Sequence, residues 1–193
     1  MGNLLRWAAG AGAFLAIGAA AFPADAAQFS RFGSGAEVMI VLAGPIEIGD
    51  AERLASVLAT LAPNERVGVL ALDSPGGVVR ETAALVNLLP SPWIALVPSG
   101  ATCASACTLI FGAASARAAA ADAKIGVHSS SAARGAQTLS ARVIADGEIV
   151  KLAVLMGLPG PIIDKMQRTP PDQIDWLTPA DLRLWNVTVL PAR

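Results

Sequence analysis

The sequence predicts an α/β protein built on a mostly parallel sheet. Three observations carry this. Short apolar runs rich in β-branched residues alternate with amphipathic helical stretches along the chain. Within those runs consecutive residues are apolar, as expected of strands covered on both faces. Of the 193 residues 54% are hydrophobic and 15% charged, where soluble domains average roughly 25% charged.

Residues 38–42 form the first strand, closed by Gly44-Pro45. Asp50 then caps a helix whose apolar face is Leu54, Val57, Leu58 and Leu61, and Pro63-Asn64 stops it. Residues 67–72 make a second buried strand that runs straight into Asp73-Ser74-Pro75-Gly76-Gly77. The next helix gathers Val78, Thr82, Leu85, Val86 and Leu89 on one face and ends at Pro90. A third strand covers 93–97, and the small residues from Gly100 to Ser105 open a helix that runs to about Ala114. Residues 124–128 are the fourth strand, ending on His128. A Ser/Ala/Gly loop over 129–135 leads to a helix over 138–156, supported by Arg142 and Asp146 at i,i+4. Gly157-Leu158-Pro159 breaks it. Thr178-Pro179-Ala180-Asp181 marks a last helix start, with a T-x-x-D cap and Pro at the first helical position.

A mean hydropathy of +0.56 raises the question of a membrane protein. Arg6 gives a short positive N-terminal region, residues 7–22 carry no charge, and Ala24-Asp25-Ala26 is an A-x-A cleavage pattern. Residues 1–26 therefore read as a secretory signal peptide, with 27–193 as one domain that is periplasmic or secreted. The alternative is an uncleaved N-terminal membrane anchor. Residues 82–116 are also uncharged, but Pro90, Pro92 and Pro98 cut them into pieces too short to span a bilayer.

Composition closes several function classes. Lys+Arg 14 against Asp+Glu 15 leaves net charge −1, so no nucleic-acid partner is expected. One His and two Cys give no metal site, and no cofactor is indicated.

Three features carry chemistry. In Ser74-Pro75-Gly76-Gly77 the glycines let backbone N–H groups face outward without a Cβ, as an oxyanion hole requires. Ser105 opens an apolar helix among small neighbours, a setting that suits an exposed nucleophile and equally suits a helix cap. His128, the single histidine, ends a strand. All three fall at carboxyl ends of strands, where α/β proteins gather their functional groups.

Leu72-Asp73-Ser74-Pro75-Gly76-Gly77, then Gly100 to Ser105-Ala106, then Ile125-Gly126-Val127-His128 resemble the ordered motifs of the ClpP-type serine peptidases, within the ClpP/crotonase-like superfamily. The match is closest to small exported members, and its order and spacing hold across most of the chain after residue 26. The resemblance implies a spiral of ββα units with Ser105 as nucleophile, His128 as base and oxyanion donors from Gly76 and Ala106. It also implies a peptide or protein substrate along Gly77 and Val78, and it leaves a homo-oligomer open. No ATPase partner is expected outside the cytoplasm.

Two departures stand out. At the triad acid a gapless match places Ile174, so the acid is Asp172, the favoured choice, or Asp175, or neither. A Ser–Lys dyad, as in the related signal peptide peptidases, would have to use Lys124 or Lys151. Cys103 and Cys107 bracket Ser105. They can form a disulfide only if Cys103 precedes the helix proper, since in a regular helix the Cβ atoms sit about 5–6 Å apart. Otherwise they are two small buried side chains. The sequence thus supports an exported serine hydrolase, with a catalytically silent peptide-binding scaffold as the alternative.

Overall fold

The computed structural model describes residues 26–130 and 139–192, with the backbone alone over 139–146. Residues 1–25 of the expected signal peptide, residues 131–135 of the loop expected over 129–135 and the side chains of the expected Arg142–Asp146 pair lie outside what it describes.

Strands β1 (Gln28–Phe32), β2 (Glu37–Ala43), β3 (Arg66–Asp73), β4 (Ile94–Val97), β6 (Ala116–Ala120) and β9 (Val187–Leu190) form a six-stranded sheet in the order β1-β2-β3-β4-β6-β9. Only the β1–β2 pair is antiparallel. Strands β5 (Thr102–Ala104), β7 (Lys124–Val127) and β8 (Asp175–Trp176) form a smaller second sheet. The helices are α1 (Asp50–Leu58), α2 (Val79–Asn87), α3 (Ala106–Ala113), α4 (Leu139–Leu155), α5 (Gly160–Arg168) and α6 (Pro179–Leu184). Among the described residues no helix is long and apolar enough to cross a membrane.

The core follows from the apolar runs. Ile40 and Leu42 of β2 join Leu70 and Leu72 of β3, Leu54 of α1 and Leu85 of α2, all buried. In α3, Ala106 to Gly112 are all buried, as expected of an apolar helix at the centre of a protein. Phe111 meets Trp185 edge to face with ring centroids 5.3 Å apart. A Cβ on Gly112 would come within 2.4 Å of the Met156 carbonyl oxygen, so this glycine sets how closely α3 approaches the end of α4.

Three expectations need correction. The run expected to open a helix at Gly100 holds strand β5 first, and helix begins only at Ala106. Asp50 is not the helix cap: Gly49 is, and the Asp50 carboxylate turns back to accept N–H bonds from Glu47 (2.6 Å) and Ala27 (3.4 Å). β1, β6, β8, β9 and α5 add elements to those read from the sequence. At α6 the cap forms as the residues indicate, Thr178 and Asp181 closing a reciprocal capping box behind Pro179.

Candidate active site

The site sits where the two sheets meet. Past Asp73 the chain leaves the large sheet, and Ser74 pairs with Cys103 of β5: Ser74 N–H donates to Thr102 O (2.6 Å) and Ala104 N–H to Ser74 O (3.0 Å). The Asp73 carboxylate accepts the Thr102 N–H at 3.0 Å. These bonds hold residues 73–76 against residues 102–106. Gly76, at φ +94°, has no room for a side chain: a Cβ would lie 2.5 Å from Ala104 O, 2.7 Å from Ser105 Cβ and 2.8 Å from Ala106 N.

The next residues form a short strand-like edge. Ile46 N–H donates to Gly76 O and Val78 N–H donates to Ile46 O, both at 2.8 Å. With its two neighbours bonded to Ile46, Gly77 turns its own N–H and C=O to the opposite side. Gly77 and Val78 line a groove of about 650 Å³ that also contains Ser105, Ala106 and His128.

Ser105 lies on the turn from β5 into α3 with φ +57° and ψ −126°, outside the regions an L-residue favours. Neighbouring bonds hold it there. Its N–H donates to Gly126 O (3.0 Å), its carbonyl accepts from Thr108 N–H (2.9 Å), and the Thr108 hydroxyl donates to the same Gly126 O (2.8 Å). A disulfide joins Cys103 to Cys107 across the serine, with Cα atoms 5.3 Å apart. The bridge forms because Cys103 belongs to β5 and only Cys107 to the helix. As the first residue of α3, Ala106 has an N–H with no acceptor within the helix. The Gly76 N–H donates to Ser74 Oγ at 3.1 Å.

His128 follows β7, half-buried, with Nδ1 2.7 Å from the carbonyl oxygen of Ser129. A carbonyl only accepts, so Nδ1 is the donor in this contact and Nε2 is the ring nitrogen left to act as a base. The loop is anchored in turn by Ser129 N–H donating to Thr169 O (2.8 Å). No hydrogen bond joins Ser105 Oγ to His128, and none joins His128 to a carboxylate of the described residues.

Asp172 is exposed in the turn after α5. Asp175 pairs across the small sheet with Val127 and reaches Lys165 Nζ at 3.4 Å. Ile174 packs over Gly126, where a Cβ would meet Ile174 Cγ2 at 2.4 Å, so apolar carbon covers this face of β7. Lys165 also bridges to Asp181 at 3.1 Å. Hydrogen bonding to Asp181, and then to Asp175, outweighs desolvation and raises the Lys165 pKa. Desolvation pushes the Asp181 carboxyl up, but bonds from Thr178 and Lys165 outweigh it and hold Asp181 below the usual carboxylate range. Neither dyad lysine approaches Ser105. Lys124 sits over the Trp176 ring at the far end of β7, and Lys151 is exposed and paired with Glu148.

Two participants escape sequence reasoning, the Ser129 carbonyl and the Ile46 backbone. Both act through the main chain and leave no side-chain signal.

A mostly parallel α/β spiral with a serine on a strained strand-to-helix turn, beside a glycine edge and a histidine at a strand end, has the ClpP-like architecture. The family model for Clp protease matches residues 29–153, and the chain belongs to that family of serine peptidase-like proteins. No curated protein matches it in sequence. Its structure is similar to ClpP1 from Listeria monocytogenes, with a TM-score of 0.61 and 17% identity over 80% of this chain and 92% of that one. It is likewise similar to the ClpP protease catalytic domain from Plasmodium falciparum, at 0.58 and 16% over 79% and 85%. At such identities the likeness is one of fold.

Proposed function

We propose that this chain is an exported serine hydrolase of the peptidase type. One observation carries the reading. Ser105, the open Ala106 N–H and the basic tautomer of His128 line one groove beside the unpaired edge of Gly77. A peptide substrate adds to that edge as an extended strand, its main chain bonding to the Gly77 N–H and C=O, with Val78 beside it. Ser105 Oγ attacks the scissile carbonyl, His128 Nε2 takes the proton, and the oxyanion forms against the Ala106 N–H. The Gly76 N–H joins as second donor by leaving Ser74 Oγ. His128 then returns the proton to the leaving amine, and water activated by the same ring hydrolyses the acyl-enzyme. No cofactor or ATPase takes part.

Here the Ser129 carbonyl orients the ring in place of the acid expected at Asp172. It fixes the tautomer but carries no charge to stabilise imidazolium. Turnover is therefore slow, because disabling a triad's acid costs about 10⁴-fold. The same feature, with no Ser105–His128 hydrogen bond, favours the second reading, a peptide-binding scaffold without turnover.

Fluorophosphonate labelling of residues 27–193, with the adduct mapped by mass spectrometry, separates the two. The hydrolase gives an adduct on Ser105 that Ser105→Ala and His128→Ala both lose. No adduct on folded, oxidised protein refutes the hydrolase and leaves the scaffold.

A further inference from the structure

The first described residues show an arrangement that the groove chemistry does not use. Ala27 is buried at 2% exposure, and its backbone nitrogen lies 3.4 Å from Oδ2 of Asp50, a carboxylate with no exposure at all. The same Oδ2 accepts the Glu47 N–H at 2.6 Å, while Oδ1 takes Arg53 Nε at 2.8 Å and Nη2 at 2.5 Å. Ala26 stands at φ +130°, a strained conformation for a residue with a Cβ. The bond between these two alanines is the one that the Ala24-Asp25-Ala26 pattern marks for cleavage.

We propose that cleavage after Ala26 turns the Ala27 N–H into an α-ammonium that forms a buried ion pair with Asp50, beside the groove residue Glu47. This rests on the export reading above. In the step a signal-processing peptidase adds water across the Ala26–Ala27 bond; the carboxylate departs with Ala26 and the protonated amine stays on Ala27. Because Ala27 is buried in the folded protein, the cut precedes folding. Cleavage removes the strained Ala26 linkage and replaces a single amide donor with a charged group bearing three. Asp50, whose one cationic partner among the described residues is the half-exposed Arg53, gains a second one inside the core. The pair bears on the groove through Glu47, a groove residue bonded to Asp50, and through its neighbour Ile46, paired with Gly77.

The test exports the full chain, maps its N-terminus by intact mass and sequencing, and compares its melting temperature with that of a chain carrying one glycine before Ala27. Each is made with Asp50 and with Asp50→Asn. The expected results are an N-terminus at Ala27 and a melting temperature about 3–6 °C lower for the glycine-extended chain. That gap closes in the Asp50→Asn background.

A pH series keeps the inference testable if Asp50→Asn does not fold, and it separates charge from crowding. Pairing raises the ammonium's pKa, so its stabilisation is whole below about pH 8, the unfolded α-amino value, and lost as pH rises through the folded one. The charged groups around it are Asp50 and Arg53 on α1, Glu47 before α1 and Glu81, whose Oε1 accepts the Ala51 N–H. None of these side-chain types titrates between about pH 7 and 10. The gap between the two chains must therefore shrink over that range. An N-terminus elsewhere overturns both this inference and the export reading as drawn. An N-terminus at Ala27 with equal melting temperatures, or with a gap that ignores pH, overturns the ion pair alone.

Discussion

Gly76→Ala is the sharpest test of how the site is assembled. Two costs add. Placing a Cβ on a residue at φ +94° costs about 1–2 kcal/mol in left-handed backbone energy. Contacts at 2.5 Å, 2.7 Å and 2.8 Å then force the chain away from Ala104, Ser105 and Ala106, and overpacking of this kind costs about 1–3 kcal/mol. The total is about 2–5 kcal/mol, a large part of the roughly 5–15 kcal/mol that keeps a domain folded. Gly100 supplies the control, since it holds φ +74° with nothing within 4 Å of its Cβ position. Gly100→Ala should lose only the backbone portion. Urea unfolding measures both variants, and the rate of fluorophosphonate labelling at Ser105 reports the local geometry. Gly76→Ala should unfold at lower urea than Gly100→Ala and label far more slowly. If the two unfold alike and Gly76→Ala labels at the parent rate, residues 76 and 104–106 are not packed as described, and the reasoning fails.

Ile174→Asp puts a carboxylate on the face of the small sheet that lacks one and should raise the Ser105 labelling rate at least about tenfold; an unchanged rate would show that position 174 does not reach the histidine. Replacing both Cys103 and Cys107 with Ala frees a very short loop, and the chain-entropy relation gives a loss of about 2 kcal/mol in urea unfolding. Labelling should slow in the same variant, because Ser105 loses the bridge across its strained turn. The Lys165–Asp181 pair sets two limits on pH stability. Asp181 has a lowered pKa, so its contribution is present above its unfolded value near 3.8 and lost as pH falls through the folded value. Lys165 has a raised pKa, so its contribution is whole below its unfolded value near 10.5 and lost above the folded one. Asp181→Asn should flatten the acid limb of a melting-temperature profile, and an unaltered limb would remove the pair from the stability account.

Strands whose residues are β-branched and buried on both faces were legible, as β2, β3 and β7 show. β6 was not: Ala-Arg-Ala-Ala-Ala carries no strand signal of its own, and it becomes a strand because β4 and β9 supply hydrogen-bond partners on either side. β5 lay hidden in small residues that read as a helix start, and three of them suffice only because Ser74 and β7 flank them. β1 is a mostly exposed edge with little apolar pattern. α5 does bear Ile162, Ile163 and Met166 on its buried side, a helical spacing present in the sequence but masked by the Gly157-Leu158-Pro159 break just before it. In the site, Ser105, His128 and Gly76 stood out by residue type and by their places at strand ends. The order of contacts did not, because Ser129 holds the histidine through a carbonyl, and any residue at that position has one.

The seam between the two sheets also bears on when the groove can exist. Ser74 with Cys103, Thr102 with Lys124 and Gly126 with Trp176 are all partners far apart along the chain, so each pairing must close a long loop before it gains anything. The cysteines, four residues apart, can meet by local motion alone while the strands are still separate. Oxidation can thus precede assembly, whereas the neighbours of Ser105 arrive only with long-range pairings. Whatever chemistry the serine performs, an incompletely folded chain cannot perform it, and a newly made molecule is inert toward its neighbours until its own fold has closed.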